Sequence, residues 1–241
     1  MKKTLGIIGY GNFGEYIEKI LKKYFKVIIY LRESQKNVST EVVFEADINT
    51  FCETCDIIII ASPMRYFENT LHLIKDKLHK EQLIIDVCSL KIFTCDLMKK
   101  ILPKYVNIVG THPLFGPNSK PEILRNKKIV LCKVNGERIN SVKRFCEKLK
   151  LNVIITTPKK HDLEMAKTQA LTFFVTEILN NIHFNNSNLS TPSSKLLEET
   201  VKSVRKDSNI LFFDLQNLNP YSKTIREKFI KAAEKYDKKL S

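Results

Sequence analysis

The residues able to do chemistry gather in three short blocks. They are GYGNFG (Gly9 to Gly14), VCSLK (Val87 to Lys91) and GTHPLFGP (Gly110 to Pro117). In the first, Gly9 permits a tight turn, Gly11 lets a pyrophosphate approach the backbone, and Gly14 lets a helix pack closely on the preceding strand. Amides at the helix start, from Asn12 and Phe13 onward, then face the phosphates. In the third block His112 stands between a strand end and two prolines, so a stiff backbone holds it. With an ordinary pKa of about 6.5, its imidazole accepts a proton at working pH. The second block holds Ser89 and Lys91. No G-x-S-x-G elbow surrounds Ser89, which argues against a serine nucleophile.

The glycine block follows an apolar strand (Thr4 to Ile8) and opens a helix whose apolar residues recur at three and four, the context a dinucleotide loop requires. Enzymes that take NAD usually end the second strand with an acidic residue on the ribose hydroxyls, but here that strand ends Tyr30-Leu31-Arg32-Glu33-Ser34. Arg32 is placed to pair with a 2′-phosphate and Ser34 is a second donor, so NADP is favoured. NAD stays open, because one residue of slippage puts Glu33 on the ribose. Ser62, after the apolar run Asp56 to Ala61, completes the expected cofactor-binding set.

Further strands are expected at Lys26 to Leu31, Gln82 to Val87, Val106 to Gly110, Lys127 to Cys132 and Asn152 to Thr156. Helices are expected from Ser62-Pro63 to about Leu78, near 91–102 and at 137–149. Alternation of this kind predicts an α/β fold with a doubly wound, mostly parallel, Rossmann-like sheet over residues 1–157. Both chemical blocks then lie at carboxyl ends of strands, where open sheets of this class bind ligands. After Pro158 the pattern becomes all helical, with segments to about Ile182, then Ser194 to Lys206, Ser208 to Asn217 and Tyr221 to Leu240. Residues 158–241 thus form a small helical domain that must pack on something to bury its apolar stripes.

Composition removes other classes of function. The formal charge of +14 attracts polyanions in general. The lysines are scattered, however, and no run interleaves clustered basic residues with aromatics, so no nucleic-acid partner is expected. The longest apolar run is too short for a bilayer and no secretory leader precedes the first strand, which predicts a cytoplasmic protein without a membrane partner. Six cysteines in such a chain read as reduced thiols. The C-x-x-C of Cys52 and Cys55 lacks a second pair, so no metal site is expected.

Taken in order, the glycine loop, D-x-C-S-L-K, G-T-H-P-L-F-G-P and P-K-K-H-D-L-E-M-A-K-T-Q-A-L-T resemble the prephenate and arogenate dehydrogenases, and the match runs through nearly the whole chain. The resemblance implies NAD(P)-dependent oxidative decarboxylation of a small cyclohexadienyl dicarboxylate. His112 would be the base on the ring hydroxyl, Ser89 would share a hydrogen bond with that hydroxyl, and Lys91 would help to order the site. It also makes His161 and Gln169 groups that support the site residues or face the substrate, with a helix cap and a buried amide as the plainer alternative. The stretch Leu211 to Pro220 resembles the family's dimerisation region in shortened form, which implies a homodimer through the helical domain.

Two positions depart from the family pattern. Phe173 stands where related sequences have histidine, and Lys202 where they have an arginine for the ring carboxylate. Lysine keeps the charge and loses the bidentate fork; Arg205, one turn along, could substitute. A hydroxy-acid or imine dehydrogenase of the same architecture, and an NADP-binding regulator without catalysis, remain as alternatives.

Overall fold

The computed structural model describes residues 2–31, 43–117, 124–185 and 187–240. The chain divides into two compact units, Met1–Lys159 and Lys160–Ser241.

The first unit runs β1 (Thr4–Ile8), α1 (Asn12–Leu21), β2 (Lys26–Tyr30), β3 (Val43–Glu45), α2 (Ile48–Thr54), β4 (Ile57–Ile60), α3 (Phe67–Ile74), β5 (Leu83–Asp86), α4 (Lys91–Ile101), β6 (Asn107–Pro113), β7 (Lys128–Asn135), α5 (Ile139–Lys148) and β8 (Asn152–Ile155). One eight-stranded sheet results, in the order β3-β2-β1-β4-β5-β6-β7-β8. Its neighbours pair in parallel except β6 and β7, which run antiparallel. The chain therefore builds outward from β1 on one side, then returns to lay β4 on the other. Between β1 and β4 the order reverses, and a crevice opens at their carboxyl ends.

Burial follows from this topology. β4 is four isoleucines, all buried, because both faces of a central parallel strand are covered. Ile58, Ile60, Ile84, Ile108 and Val130 face a core shared with Phe51, Phe67, Leu71 and Met98 of α2, α3 and α4. Ile57, Ile59, Leu83, Val109 and Ile129 face the opposite core, with Ile17, Ile20 and Val142 of α1 and α5.

Two elements were not foreseen. β3 has three residues and α2 seven, too short for hydrophobic periodicity to register. A local signal for α2 does exist. The Asp47 carboxylate caps it by accepting from the amides of Asn49 and Thr50. A third difference bears on the site: β6 continues past Gly110 to Pro113, so His112 lies in a strand, opposite Val130, and not in a turn beyond one. Proline fits there because β5 ends at Asp86, paired with Gly110. The Thr111 amide points to the β5 side, where Asp86 accepts it, and the Leu114 amide points to β7. Alternation puts the Pro113 nitrogen on the β5 side, where no strand is left to ask for a donor.

The second unit comprises α6 (Pro158–Met165), α7 (Leu171–Asn181), α8 (Pro192–Val204), α9 (Asn209–Asn217) and α10 (Ser222–Leu240). The segment expected as one helix to Ile182 is interrupted by a π-helical turn, Ala166–Ala170. A π turn displaces carbonyls from the regular ladder, and here Gln216 of α9 donates its side-chain amide to the Ala170 carbonyl at 2.8 Å. Arg226 of α10 holds Gln216 in turn, donating to its carbonyl at 3.0 Å and to its Oε1 at 2.8 Å. Thr191 and Ser208 cap α8 and α9.

Candidate active site

The glycine turn is built as its spacing predicts. Gly9 has φ +101, and a Cβ there would meet the backbone of Ala61 and the Ser62 nitrogen at 2.8 Å. Only glycine fits a left-handed turn pressed so closely on the end of β4. Gly11 ends the turn as the N-cap of α1, with no side-chain cap bond, and is exposed, as is Asn12; Phe13 is half-buried. Amides at the start of a helix have no intrahelical acceptor, so this end of α1 presents donors and the positive end of its dipole at the crevice. A Cβ on Gly14 would overlap the Gly9 carbonyl, which fixes how tightly α1 folds back.

Ser62 links this turn to the second block. Its hydroxyl is 3.4 Å from that of Thr70, and its carbonyl accepts from the Cys88 thiol at 3.8 Å. Arg32 and Ser34 lie outside the described residues, as does Glu33.

A residue that sequence reasoning had not singled out organises the other two blocks. Asp86, the last residue of β5, is fully buried, and its carboxylate pairs with the Lys91 ammonium at the start of α4. The same carboxylate accepts from the amides of Cys88 (3.2 Å) and Thr111 (3.1 Å). Lys91 also donates to the Thr111 carbonyl at 2.6 Å, and the Thr111 hydroxyl donates to the Asp86 carbonyl at 2.6 Å. A single anion thus ties the end of β5, the start of α4 and the end of β6 into one knot. Burial alone pulls the Lys91 pKa down, but Asp86, with smaller contributions from Cys95 and Cys88, outweighs it and leaves the pKa raised. The ammonium therefore stays charged, and it has no exposed surface. The available signal was an aspartate ending an apolar strand five residues before a lysine.

His112 is 5% exposed. It is two residues beyond Gly110, the partner of Asp86, so all three share the face of the sheet that α4 covers, with His112 past the last residue of β5. Ser89 is half-buried between Cys88 and Leu90. The described cysteines are core groups for the most part. Burial pushes the thiols of Cys52 and Cys55 up to about 12, and the carbonyls of both take hydrogen bonds from Gln82 Nε2, at 2.8 and 2.6 Å.

Within the helical unit, His161 is buried and its Nδ1 lies 2.7 Å from the Asp162 carboxylate, a contact that orients the ring. Asn219 donates to the Asp162 carbonyl at 2.8 Å. Gln169 lies in the π turn, and its Oε1 is buried without a hydrogen-bond partner among the described residues. Lys202 pairs with Glu198 at 3.1 Å and is 65% exposed. Arg205 lines a polar pocket of ≈ 310 Å³ with Phe173, Glu177, Asn180 and Asp207, and Lys202 does not. Burial pushes the Asp207 carboxyl up. Both cations expected to bind a carboxylate are exposed, and Arg205 is the one that borders the pocket.

A glycine turn of this geometry at the switch point of a doubly wound sheet defines a dinucleotide-binding α/β protein. Residues 17–155 match the family described as prephenate dehydrogenase, nucleotide-binding domain, and the chain belongs to that family. A Methanocaldococcus jannaschii protein named as a probable arogenate/prephenate dehydrogenase is 30% identical over 94% of this chain, and the chain spans 54% of that protein. Arogenate dehydrogenase 1 of Arabidopsis thaliana is 27% identical over 93% of the chain, which spans 37% of it. The chain therefore covers about half or less of these two relatives' own lengths. Among solved structures, prephenate dehydrogenase from A. aeolicus, in complex with hydroxyphenyl propionate and NAD+, superposes with a TM-score of 0.79 at 22% identity, covering 100% of this chain and 91% of that one. Synechocystis arogenate dehydrogenase gives 0.72 at 18% identity, covering 98% and 90%. At these identities the solved structures establish the fold.

Proposed function

We propose that this chain carries out the NAD(P)-dependent oxidative decarboxylation of prephenate or arogenate on the route to tyrosine. The observation that carries the reading is the pairing of a bare-amide helix start at Gly11 with a histidine, His112, at the end of a strand tied by the Asp86 knot. The residues present fit a dinucleotide, since Gly9 and Gly14 close the turn and a Cβ on Gly11 would meet nothing within 4 Å, leaving the approach to the amides open. When bound, the nicotinamide supplies the hydride acceptor. His112 takes the proton of the ring hydroxyl as hydride leaves the same carbon. The ring carboxylate departs as carbon dioxide, its bonding electrons aromatise the ring, and the proton returns to the ring oxygen. Prephenate would give 4-hydroxyphenylpyruvate and arogenate would give tyrosine. Ser89 shares the hydroxyl's hydrogen bond, and Lys91 acts only as a positioning residue.

The substrate is a dianion, and Arg205 in its pocket is the cation we assign to a carboxylate, with Lys202 outside that role. His161 and Gln169 are read as supporting groups, because the histidine is oriented by Asp162 and the buried Gln169 oxygen awaits a donor. NADP is the cofactor favoured by Arg32. A homodimer through the helical unit is supported by its uncovered apolar side chains, among them Leu189 (91% exposed), Ile182, Leu196 and Phe213. No helix among the described residues is long and apolar enough to cross a membrane; a cytoplasmic location is part of the proposal.

Absorbance of reduced nicotinamide, followed with each substrate against NAD and NADP, tests the reading. Turnover with one substrate, lowered by His112→Asn by about 10²- to 10⁴-fold, is the expected result. Full turnover in that variant removes the assignment of the base.

A further inference from the structure

The two faces of the sheet are not equally covered. Eight strands spaced about 4.8 Å apart make a sheet roughly 34 Å wide, and helices pack about 10 Å apart. α2, α3 and α4 suffice for one face. Among the described residues of the first unit, α1 and α5 are the only helices on the other. The difference is local to β4, where Ile58 and Ile60 are 0% exposed while Ile57 and Ile59, facing the other way, keep 7% and 6%; on β1 the same face is closed, with Ile7 at 0%. In the gap lies a cavity of ≈ 270 Å³, lined wholly by residues of the first unit. The cavity is open to solvent at Lys3, which is exposed, and an apolar pocket of this size takes up apolar molecules.

The cavity has a long axis and two unlike ends. Leu83, Ile85 and Val87 line it at alternate positions from β5 onward, a run of about 13 Å at roughly 3.3 Å per residue. At the carboxyl edge it reaches Thr111, Pro113 and Phe115. At the amino edge it is lined by Lys3, just before β1, and Arg138, just before α5. Arg138 spends one donor on the Glu81 carbonyl at 3.0 Å, out of the five a guanidinium carries. No aspartate or glutamate lines the cavity among the described residues, so the only formal charges there are positive.

We propose that this cavity is a binding site for an amphipathic monocarboxylate of medium alkyl chain length, its tail against β4, β5 and α1 and its head at Arg138 and Lys3. The site is separate from the glycine turn and needs no dehydrogenase turnover. The far end of the cavity, at Thr111 and Pro113, lies on the opposite face of the sheet from His112.

Calorimetric titration of the full chain with octanoate, 1-octanol and octylamine tests the proposal. One octanoate should bind per chain, saturably, with the alcohol and the amine at least tenfold weaker. Arg138→Gln should weaken octanoate about tenfold and leave 1-octanol unchanged, and Ile85→Phe, which fills the cavity, should abolish binding of both. Arg138→Gln alters a half-buried surface group, so it reports even if Ile85→Phe does not fold. Unsaturable uptake of many molecules per chain, equal affinity for acid and alcohol, or an Arg138→Gln variant that binds octanoate as before would each overturn the proposal.

Discussion

The two units each contain a lysine paired with a carboxylate, and the pairs have little else in common. Lys91 and Asp86 are both 0% exposed, whereas Lys202 is 65% exposed beside Glu198, one turn away on the same helix. An exposed i,i+4 pair is worth about 0.3–0.5 kcal/mol. Removing one member of a buried pair leaves an uncompensated charge and costs about 3–5 kcal/mol. The comparison teaches what burial changes: in the sheet unit the buried lysine pair closes a polar knot, while the helical unit keeps its buried contact at His161 and Asp162 and leaves the α8 lysine in solvent.

The largest expected effect breaks the knot. Asp86→Ala should destabilise the chain by about 3–5 kcal/mol in denaturant titrations, while the double change Asp86→Leu with Lys91→Met, which buries no charge but still strands the Cys88 and Thr111 amides, should recover only part of that. A double variant as unstable as the single one would show that those amide hydrogen bonds, and not the stranded lysine, carry the cost. The pH response follows from the raised Lys91 pKa. A group with a raised folded-state pKa contributes fully below its unfolded value, here 10.5, and the contribution is lost as pH rises through the higher folded-state value. The knot should therefore add no slope to stability across the neutral range.

Next in size is a pair of glycine substitutions that separates folding from binding within the sheet unit. The Cβ of Gly11→Val meets open space, so the loss of stability should be confined to replacing a favoured N-cap residue, about 1 kcal/mol. The added side chain stands where a pyrophosphate must approach, so dinucleotide affinity should fall about a hundredfold, ~2.7 kcal/mol. Gly9→Ala should behave in the opposite sense and lower stability first, because it strikes the end of β4 in a left-handed conformation. Equal loss of stability in both variants, measured by thermal unfolding, would refute the distinction.

These expectations also mark what the sequence could reveal. The glycine spacing, the apolar strands and the α/β-to-helical change at Pro158 are local properties, and local properties are legible in one dimension. The extension of β6 through His112 was not, because whether Pro113 can stay in the sheet depends on where β5 stops. Asp86 was hidden for a similar reason. It stood in view in the D-x-C-S-L-K block, but its hold on Thr111 exists only once β5 and β6 pair. The π turn at Ala166–Ala170 escaped too, since its freed carbonyl is answered by Gln216, 46 residues away. Lys202 and Arg205 looked interchangeable as charges; only the packing of α7 against α8 determined which of them lines a cavity.

That last difference gives the smallest effect and the sharpest contrast between cations within one unit. Arg205→Ala removes a guanidinium from a pocket that already carries Glu177 and Asp207. A charge-assisted hydrogen bond is worth about 1.5–3 kcal/mol, so KM for the dicarboxylate should rise at least tenfold with dinucleotide affinity unchanged. Arg205→Lys should restore only part of this, because an ammonium cannot offer two parallel donors to a carboxylate. Lys202→Ala severs an i,i+4 pair whose lysine is 65% exposed, and neither KM nor stability should move by more than about 1 kcal/mol. If KM instead rises with Lys202→Ala and stays put with Arg205→Ala, the carboxylate is held on the solvated side of α8, and the pocket beside Phe173 serves some other end.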